Sequence, residues 1–296
     1  MGSFDNTKTI RRLNRILYGD GGHWVGDGFP VRTLFSYTDA GAALSPFLLL
    51  DYGGPTEFQP THEKRGVGAH PHRGFETVTI VYRGQIEHRD SSGGGGTIGP
   101  GDVQWMTAAS GVVHEEFHGR EFARLGGTFE MVQLWVNLPA RDKLTPPRYQ
   151  TILDADIPTI NLPEAQGAVR IIAGDYGGEK GPAKTFTPMH VWDINITSNA
   201  PIELPVPDGW TAMLVVLEGA ATIGGSAQVD VAQVALFDTA GDTVAISGAQ
   251  GLRALLLCGQ PIAEPIVGAG PFVMNTAAEI RQAMLDYQSG EMGRLA

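Results

Sequence analysis

The chain reads as an all-β protein of two antiparallel barrels closed by one C-terminal α-helix. Three observations predict this. Glycine and proline cut the chain into short segments rich in Val, Ile, Thr and aromatics, the two halves repeat one order of strands and turns, and only the last segment carries helical spacing. With 40 glycines and 19 prolines, the sequence suits the tight turns of a sandwich or barrel.

In chain order the strand segments are VRTLFSYT, FLLLDY, FETVTIVY, DVQWMTA and MVQLWVNL, then VRIIAG, HVWDINIT, TAMLVVLEG, VALFDTA and LRALLLC. Between the two sets lies ARDKLTPPRYQTILDADIPTI, from Ala140, where proline and charge concentrate as they do in linkers. This places one domain over residues 1–145 and a second over 146–296. IVYRGQIEHRDSSGGGGTIGPGDVQWM in the first and VVLEGAATIGGSAQVDVAQVALFDTAGDTVAI in the second both run strand, Gly turn, strand, Gly-rich turn, strand, the mark of a duplicated fold. TAAEIRQAMLDYQSG then predicts a helix over 276–289. Thr276 with Glu279 makes a capping box, Ile280, Met284 and Tyr287 fall at helical spacing, and Gly290 stops the helix.

Composition bounds the function. At 42% hydrophobic and 18% charged over 296 residues, the chain is globular and long enough to bury two cores. A formal net charge of -11, with no basic stripe, argues against direct binding to nucleic acid or anionic membranes. The N-terminal stretch MGSFDNTKTIRRLNRILYGDGG has no continuous apolar core, and no segment approaches the ~20 apolar residues of a membrane span, so the expected location is the cytoplasm. Cys258 stands alone in LRALLLCGQ, which excludes an intrachain disulfide and a thiolate cluster and marks it as a buried core residue.

Two histidines one residue apart carry the chemistry. In an extended strand residues i and i+2 share a face, so His70 and His72 of GAHPHRGFETVTIVYRG project together while Pro71 points away. GVVHEEFHG supplies the other half of a metal site: His114 and Glu116 share parity and Glu115 faces out. His118 shares that parity but sits against Gly119, where the strand ends, and ranks below Glu116. One histidine on a strand is ordinarily a surface or core residue; the combination of His-Pro-His, a Gly turn at Gly84, another at Gly101 and His114 on a later strand is far more specific. Glu76 competes with Glu116 for the fourth position, since it has the parity of His72 if that strand runs unbroken, although a bulge at Gly74 would turn it aside. Three imidazoles and a carboxylate suit iron, manganese, nickel, cobalt, copper or zinc, and leave positions open on an octahedral ion.

At these residues the sequence resembles the cupin superfamily and, more narrowly, the pirin family of bicupins. HPHRGFETVTI, PGDVQWMTAASGVVHEE, MVQLWVNLP and FVMNTAAEIRQAMLDYQSGEMGRL carry the likeness, which covers almost the whole chain. The general cupin pattern has a proline two residues before Gly111, where Ala109 stands, and a tighter first glycine spacing; pirins share both departures. The resemblance implies two cupin-like barrels with a metal, iron(II) foremost, in the N-terminal one only. The metal ligands would be His70, His72, His114 and Glu116, and the residue matching Glu76 is not a ligand. It also implies a quercetin 2,3-dioxygenase activity that opens a flavonol ring with O2 and releases carbon monoxide, Glu116 serving as the base that takes the flavonol proton. Phe75, Trp105, Met106 and Gln133 are candidate pocket walls. The second reading from the same resemblance is a redox-responsive iron protein whose metal state is sensed by a transcription factor or enzyme partner. The second half agrees with a metal-free barrel: Gly209 to Pro261 holds no histidine, and the solitary His190 reads as structural.

Overall fold

The computed structural model describes residues 8–19, 21–248 and 250–295. Residues 1–7 of the N-terminal stretch read above lie outside them. Each predicted strand segment holds a strand, and the chain divides into two compact units, each with a seven-stranded and a four-stranded antiparallel sheet.

In the first barrel the large sheet runs, in spatial order, Arg148–Ile152, Val103–Thr107, Phe75–Arg83, Gly127–Asn137, Phe47–Phe58, Phe29–Ser36, His23–Val25. The small sheet runs Gly66–His72, Val112–His118, Ile86–Asp90, Gly95–Ile98. In the second barrel the large sheet runs Leu13–Tyr18, Gln233–Phe237, Thr211–Glu218, Leu252–Gly259, Met189–Ile196, Gly167–Ala173, Thr159–Asn161, and the small one Ile202–Pro205, Thr243–Ser247, Ala220–Ile223, Ala227–Asp230. Position by position the two orders correspond, which is the duplication read in the sequence.

A cut at residue 145 is not where the chain divides. The first barrel takes Gly19–Ile157, Pro182–Thr187 and the chain from Ile262 onward; the second takes Pro158–Gly181, Pro188–Pro261 and the N-terminal strand. Strand pairing explains the exchange. Leu13–Tyr18 completes the edge of the second barrel against Gln233–Phe237, and Arg148–Ile152, inside the supposed linker, completes the edge of the first against Val103–Thr107.

The terminal helix, Ala277–Ser289, also belongs to the first barrel. Thr276 caps it by accepting from the Glu279 N–H at 3.2 Å, and Gly290 ends it in the left-handed conformation. Its buried face is Ile280, Ala283 and Asp286, while Met284 and Tyr287 are 40% exposed. Ile280 and Ala283 pack on Val113, Phe272, Met274 and Met292.

The two interiors differ in kind. The second barrel is filled by apolar side chains, among them Trp192, Leu214, Val244, Ile246, Leu256 and the fully buried Cys258. The first keeps an aromatic cluster at one end, with Phe29, Phe58, Phe122 and Phe129, and a histidine-rich polar interior elsewhere. Among the described residues no helix is long and apolar enough to cross a membrane.

Candidate metal centre

The small sheet of the first barrel builds the site. Gly66–His72 pairs with Val112–His118 so that His114 lies opposite His70 and Val112 opposite His72, and the register then slips before Glu116 meets Val67. The three imidazoles His70, His72 and His114 converge, with ring centroids 4.2 to 4.9 Å apart and one nitrogen from each within 4.8 Å of the others. His88, His114 and Glu116 form a second such triad. Of the four sequence-predicted ligands, His70, His72 and His114 thus form one group, while Glu116 groups with His114 and His88; His114 is common to both. Among the described residues, both groups lie in the first barrel.

Alternation holds on the His114 strand. Glu116 is 4% exposed and faces inward, whereas Glu115 pairs with Arg89 on the outer side. His118 is buried too, but its Nε2 donates to the Gly28 carbonyl at 2.8 Å and its ring packs among Phe29, Phe58, Phe122 and Phe129, apart from the other histidines.

The assignment of ring nitrogens follows from hydrogen bonds. Nδ1 of His70 faces the Gly68 carbonyl at 2.8 Å, Nδ1 of His72 the Pro271 carbonyl at 3.4 Å, and Nδ1 of His114 lies 3.3 Å from Nδ1 of His88. Engaging Nδ1 leaves Nε2 of each ring as the free lone pair, the arrangement in which imidazoles ligate metals. Nε2 of His114 is buried with no hydrogen-bond partner. A buried polar atom left unpaired costs ~1–3 kcal/mol, so its persistence points to a group that completes it. Burial, then the neighbouring imidazoles, pushes the His72 pKa down to about 3 and that of His114 well below its usual value, so both rings are neutral lone-pair donors at neutral pH. Burial works against the Glu116 carboxylate, but the neighbouring His88 ring, 3.9 Å away, and the bond from Gln104 outweigh it and lower its pKa. The cluster is thus able to hold a metal ion: neutral nitrogens and an anionic oxygen are the donor set a divalent transition ion requires.

Sequence reasoning missed His88, Asp90, Gln104 and Tyr149. Gln104 Nε2 donates to Glu116 Oε1 at 2.8 Å, Tyr149 Oη donates to Gln104 Oε1 at 3.1 Å, and the Tyr149 ring stacks on His88 with centroids 4.8 Å apart. His88 Nε2 lies 3.2 Å from Asp90 Oδ2. The available signal was the alternation in IEHRD, where His88 and Asp90 share a face as His70 and His72 do.

Glu76 stands elsewhere. Gly66–His72 and Phe75–Arg83 are two strands in two different sheets, and the chain turns between them at Arg73 and Gly74. Gly74 has φ +89°, and a Cβ there would lie 2.0 Å from the Val273 carbonyl oxygen, so the corner requires glycine. Beyond it Glu76 pairs with Thr107 and Thr79 with Gln104, in unbroken register. Gln104 points at His88 and Glu116; Thr107, three residues on, projects from the opposite face and takes Glu76 with it, Thr107 Oγ1 donating to Glu76 Oε1 at 2.7 Å.

The same parity sorts the predicted pocket walls. Trp105 is fully buried on the Glu76 side and lines no part of the histidine cluster, a correction to its expected role. Met106 shares the Gln104 face, Gln133 Nε2 donates to Glu116 Oε2 at 3.5 Å, and Phe75 packs 5.1 Å from His72 and 4.3 Å from Trp135, centroid to centroid. Ala109 has φ +40°, which a proline ring, fixed near −65°, cannot adopt. The departure noted at this position is therefore imposed by the backbone, whose Ala109 carbonyl accepts from the Gly74 N–H at 2.8 Å.

Comparison with known proteins agrees with this architecture. The Pirin family model matches residues 28–136, and the model of the Pirin C-terminal cupin domain matches residues 191–293. A Pseudomonas aeruginosa protein bearing the name "Putative quercetin 2,3-dioxygenase" is 55% identical over 94% of this chain and 97% of its own length. Pirin-1 of Arabidopsis thaliana is 40% identical over 90% of each chain. The crystal structure of quercetin 2,3-dioxygenase from Acinetobacter baumannii superposes with a TM-score of 0.94 at 51% identity, covering 97% of this chain and 100% of that one. With both halves matched and the bicupin fold in place, the chain belongs to the pirin family.

Proposed function

We propose that the protein is a metal-dependent dioxygenase of the quercetin 2,3-dioxygenase type, holding iron(II) through His70, His72, His114 and Glu116 and opening a flavonol ring with O2 and loss of carbon monoxide. The observation that carries this reading is the unpartnered, buried Nε2 of His114 among neutral imidazoles and beside a carboxylate. The names of the Pseudomonas and Acinetobacter relatives support the substrate class. When bound, iron would supply Lewis acidity and redox exchange with dioxygen.

The chain's own residues do the rest. Glu116, kept ionised and aimed by Gln104 and Gln133, accepts the proton of the flavonol hydroxyl. Thr77 and Thr79 share the inward face with Met106 and Gln104, and their buried hydroxyls have no partner, so they offer hydrogen bonds to substrate oxygens. Phe75 and Trp135 form an apolar wall beside His72 that excludes water from the flavonol rings.

Anaerobic purification with metal analysis, followed by oxygen uptake and carbon monoxide release with quercetin, tests the proposal. The expected result is about one metal per chain, with uptake lost in His70→Ala and His72→Ala. Uptake that survives both substitutions overturns it. A fully loaded protein without turnover transfers the case to the redox-responsive binding protein.

A further inference from the structure

We propose that the mouth of the second barrel is a binding site for a small, neutral, planar aromatic compound carrying a hydrogen-bond acceptor. A cleft of about 390 Å³ opens there, within the range of small-molecule sites. Its walls include Tyr176, His190, Trp192, Pro205 and Thr243. By sheet order, Met189–Ile196, Ile202–Pro205 and Thr243–Ser247 occupy the places that Phe47–Phe58, Gly66–His72 and Val112–His118 hold in the first barrel. The cleft thus opens on the strands that match the histidine-bearing ones of the first barrel; here those strands carry no histidine, and the rings come from Met189–Ile196 and Tyr176 instead.

The polar groups favour one class of occupant. His190 is 8% exposed and accepts the Asp175 N–H on Nδ1 at 3.3 Å, which leaves the proton on Nε2 as a donor. This contact is built: Gly174 has φ +81°, and a Cβ there would stand 2.1 Å from His190 Nδ1. His190 stacks on Trp210 at 5.5 Å and packs against Trp192 at 4.9 Å, and Tyr176 meets Trp192 edge-on at 5.0 Å. Trp192 is 1% exposed, and its Nε1–H has no acceptor among the described residues. A wall of rings with unspent N–H donors takes an aromatic ligand through stacking and one accepted hydrogen bond. A transition ion would find one imidazole whose Nδ1 lone pair is taken by the Asp175 N–H and whose Nε2 carries the proton. Asp175 and Asp242 at the rim disfavour an anion, and the nearby cation Lys8 is paired with Glu203.

Coumarin, a neutral two-ring lactone with a carbonyl acceptor, is the probe. Equilibrium dialysis and ligand-observed NMR on the full chain should detect binding that His190→Phe weakens roughly tenfold, the loss of one donor at constant ring area. Trp210→Ala should weaken it as well, and Glu116→Gln in the first barrel should leave this component unchanged. If Trp210→Ala does not fold, His190→Phe decides. The proposal is overturned if coumarin fails to bind, if His190→Phe leaves binding intact, or if Glu116→Gln abolishes it.

Discussion

His88 Nδ1 lies 3.3 Å from His114 Nδ1, and that contact fixes which nitrogen of His114 faces the candidate metal position. The order of protons can be traced from the outer end. Burial opposes ionisation of Asp90, but bonds from His88, Ser92 and Gly94 outweigh it and hold its pKa at about 2, so Asp90 accepts and His88 Nε2–H donates. His88 Nδ1 is then a lone pair that accepts from Gln104 Nε2 at 3.2 Å and from His114 Nδ1–H. His114 is left with its lone pair on Nε2, the atom with no partner in the protein.

Asp90→Asn tests this chain of tautomers. An amide presents both a donor and an acceptor to His88, so the ring no longer has one preferred tautomer and His114 loses its fixed orientation. Metal affinity should fall by the ~10–100-fold typical of partners that orient ligands, while the protein stays folded. Competition with a chromophoric chelator measures it, and unchanged affinity would mean that Asp90 serves only its turn, where it also holds Ser92 and Gly94.

Arg73 follows His72 directly and reaches the terminal helix. Its Nη1 donates to Asp286 Oδ2 at 2.6 Å and its Nε to the Ser110 carbonyl at 2.6 Å, both nearly buried. Asp286→Ala leaves this guanidinium without its counter-charge, which costs on the order of 3 kcal/mol. Since the same corner carries His72, metal binding should weaken along with the thermal midpoint. A double variant with Arg73→Met, which removes the stranded charge, should recover part of the stability but none of the lost affinity.

Local periodicity made much of the site legible. His70 with His72, and His114 with Glu116, each needed only a strand and its period of two, and the helix announced both ends through Thr276 and Gly290. Periodicity fails where the chain changes sheets: parity counted from His72 to Glu76 assumes one strand, and the turn at Gly74 breaks the count. It fails again for the helix face, because Val113, Phe272 and Met274, against which Ile280 and Ala283 pack, are brought there by tertiary structure. The alternation of IEHRD put His88 and Asp90 on one face, but not beside His114, which lies 26 residues away. The exchange of edge strands depends on pairing partners far along the chain, Leu13–Tyr18 with Gln233–Phe237 and Arg148–Ile152 with Val103–Thr107, which local periodicity does not specify.

The last prediction separates two buried carboxylates by the face on which each stands. Glu116 is inward, bonded to Gln104 and within 3.9 Å of His88, so Glu116→Gln removes the only anion from the His88 and His114 triad. Its cost in metal affinity should exceed the ~10–100-fold of outer partners, and it should abolish proton acceptance. Glu76 is on the opposite face with Thr107 and Arg148, so Glu76→Gln should leave metal affinity unchanged. Its signature is pH-dependent stability. Burial raises the Glu76 pKa from 4.5 to about 7 against the bond from Thr107, so between these values the folded protein keeps a proton that the unfolded chain has released. Stability therefore falls as pH rises through that window, by an amount on the order of 3 kcal/mol once ionisation is complete. Glutamine never ionises. Urea midpoints of Glu76→Gln should match the native protein near pH 4.5 and exceed it at pH 8. A variant that empties the metal site at constant stability would place Glu76 among the ligands after all, and a pH-independent difference would mean that its burial is not what sets its charge.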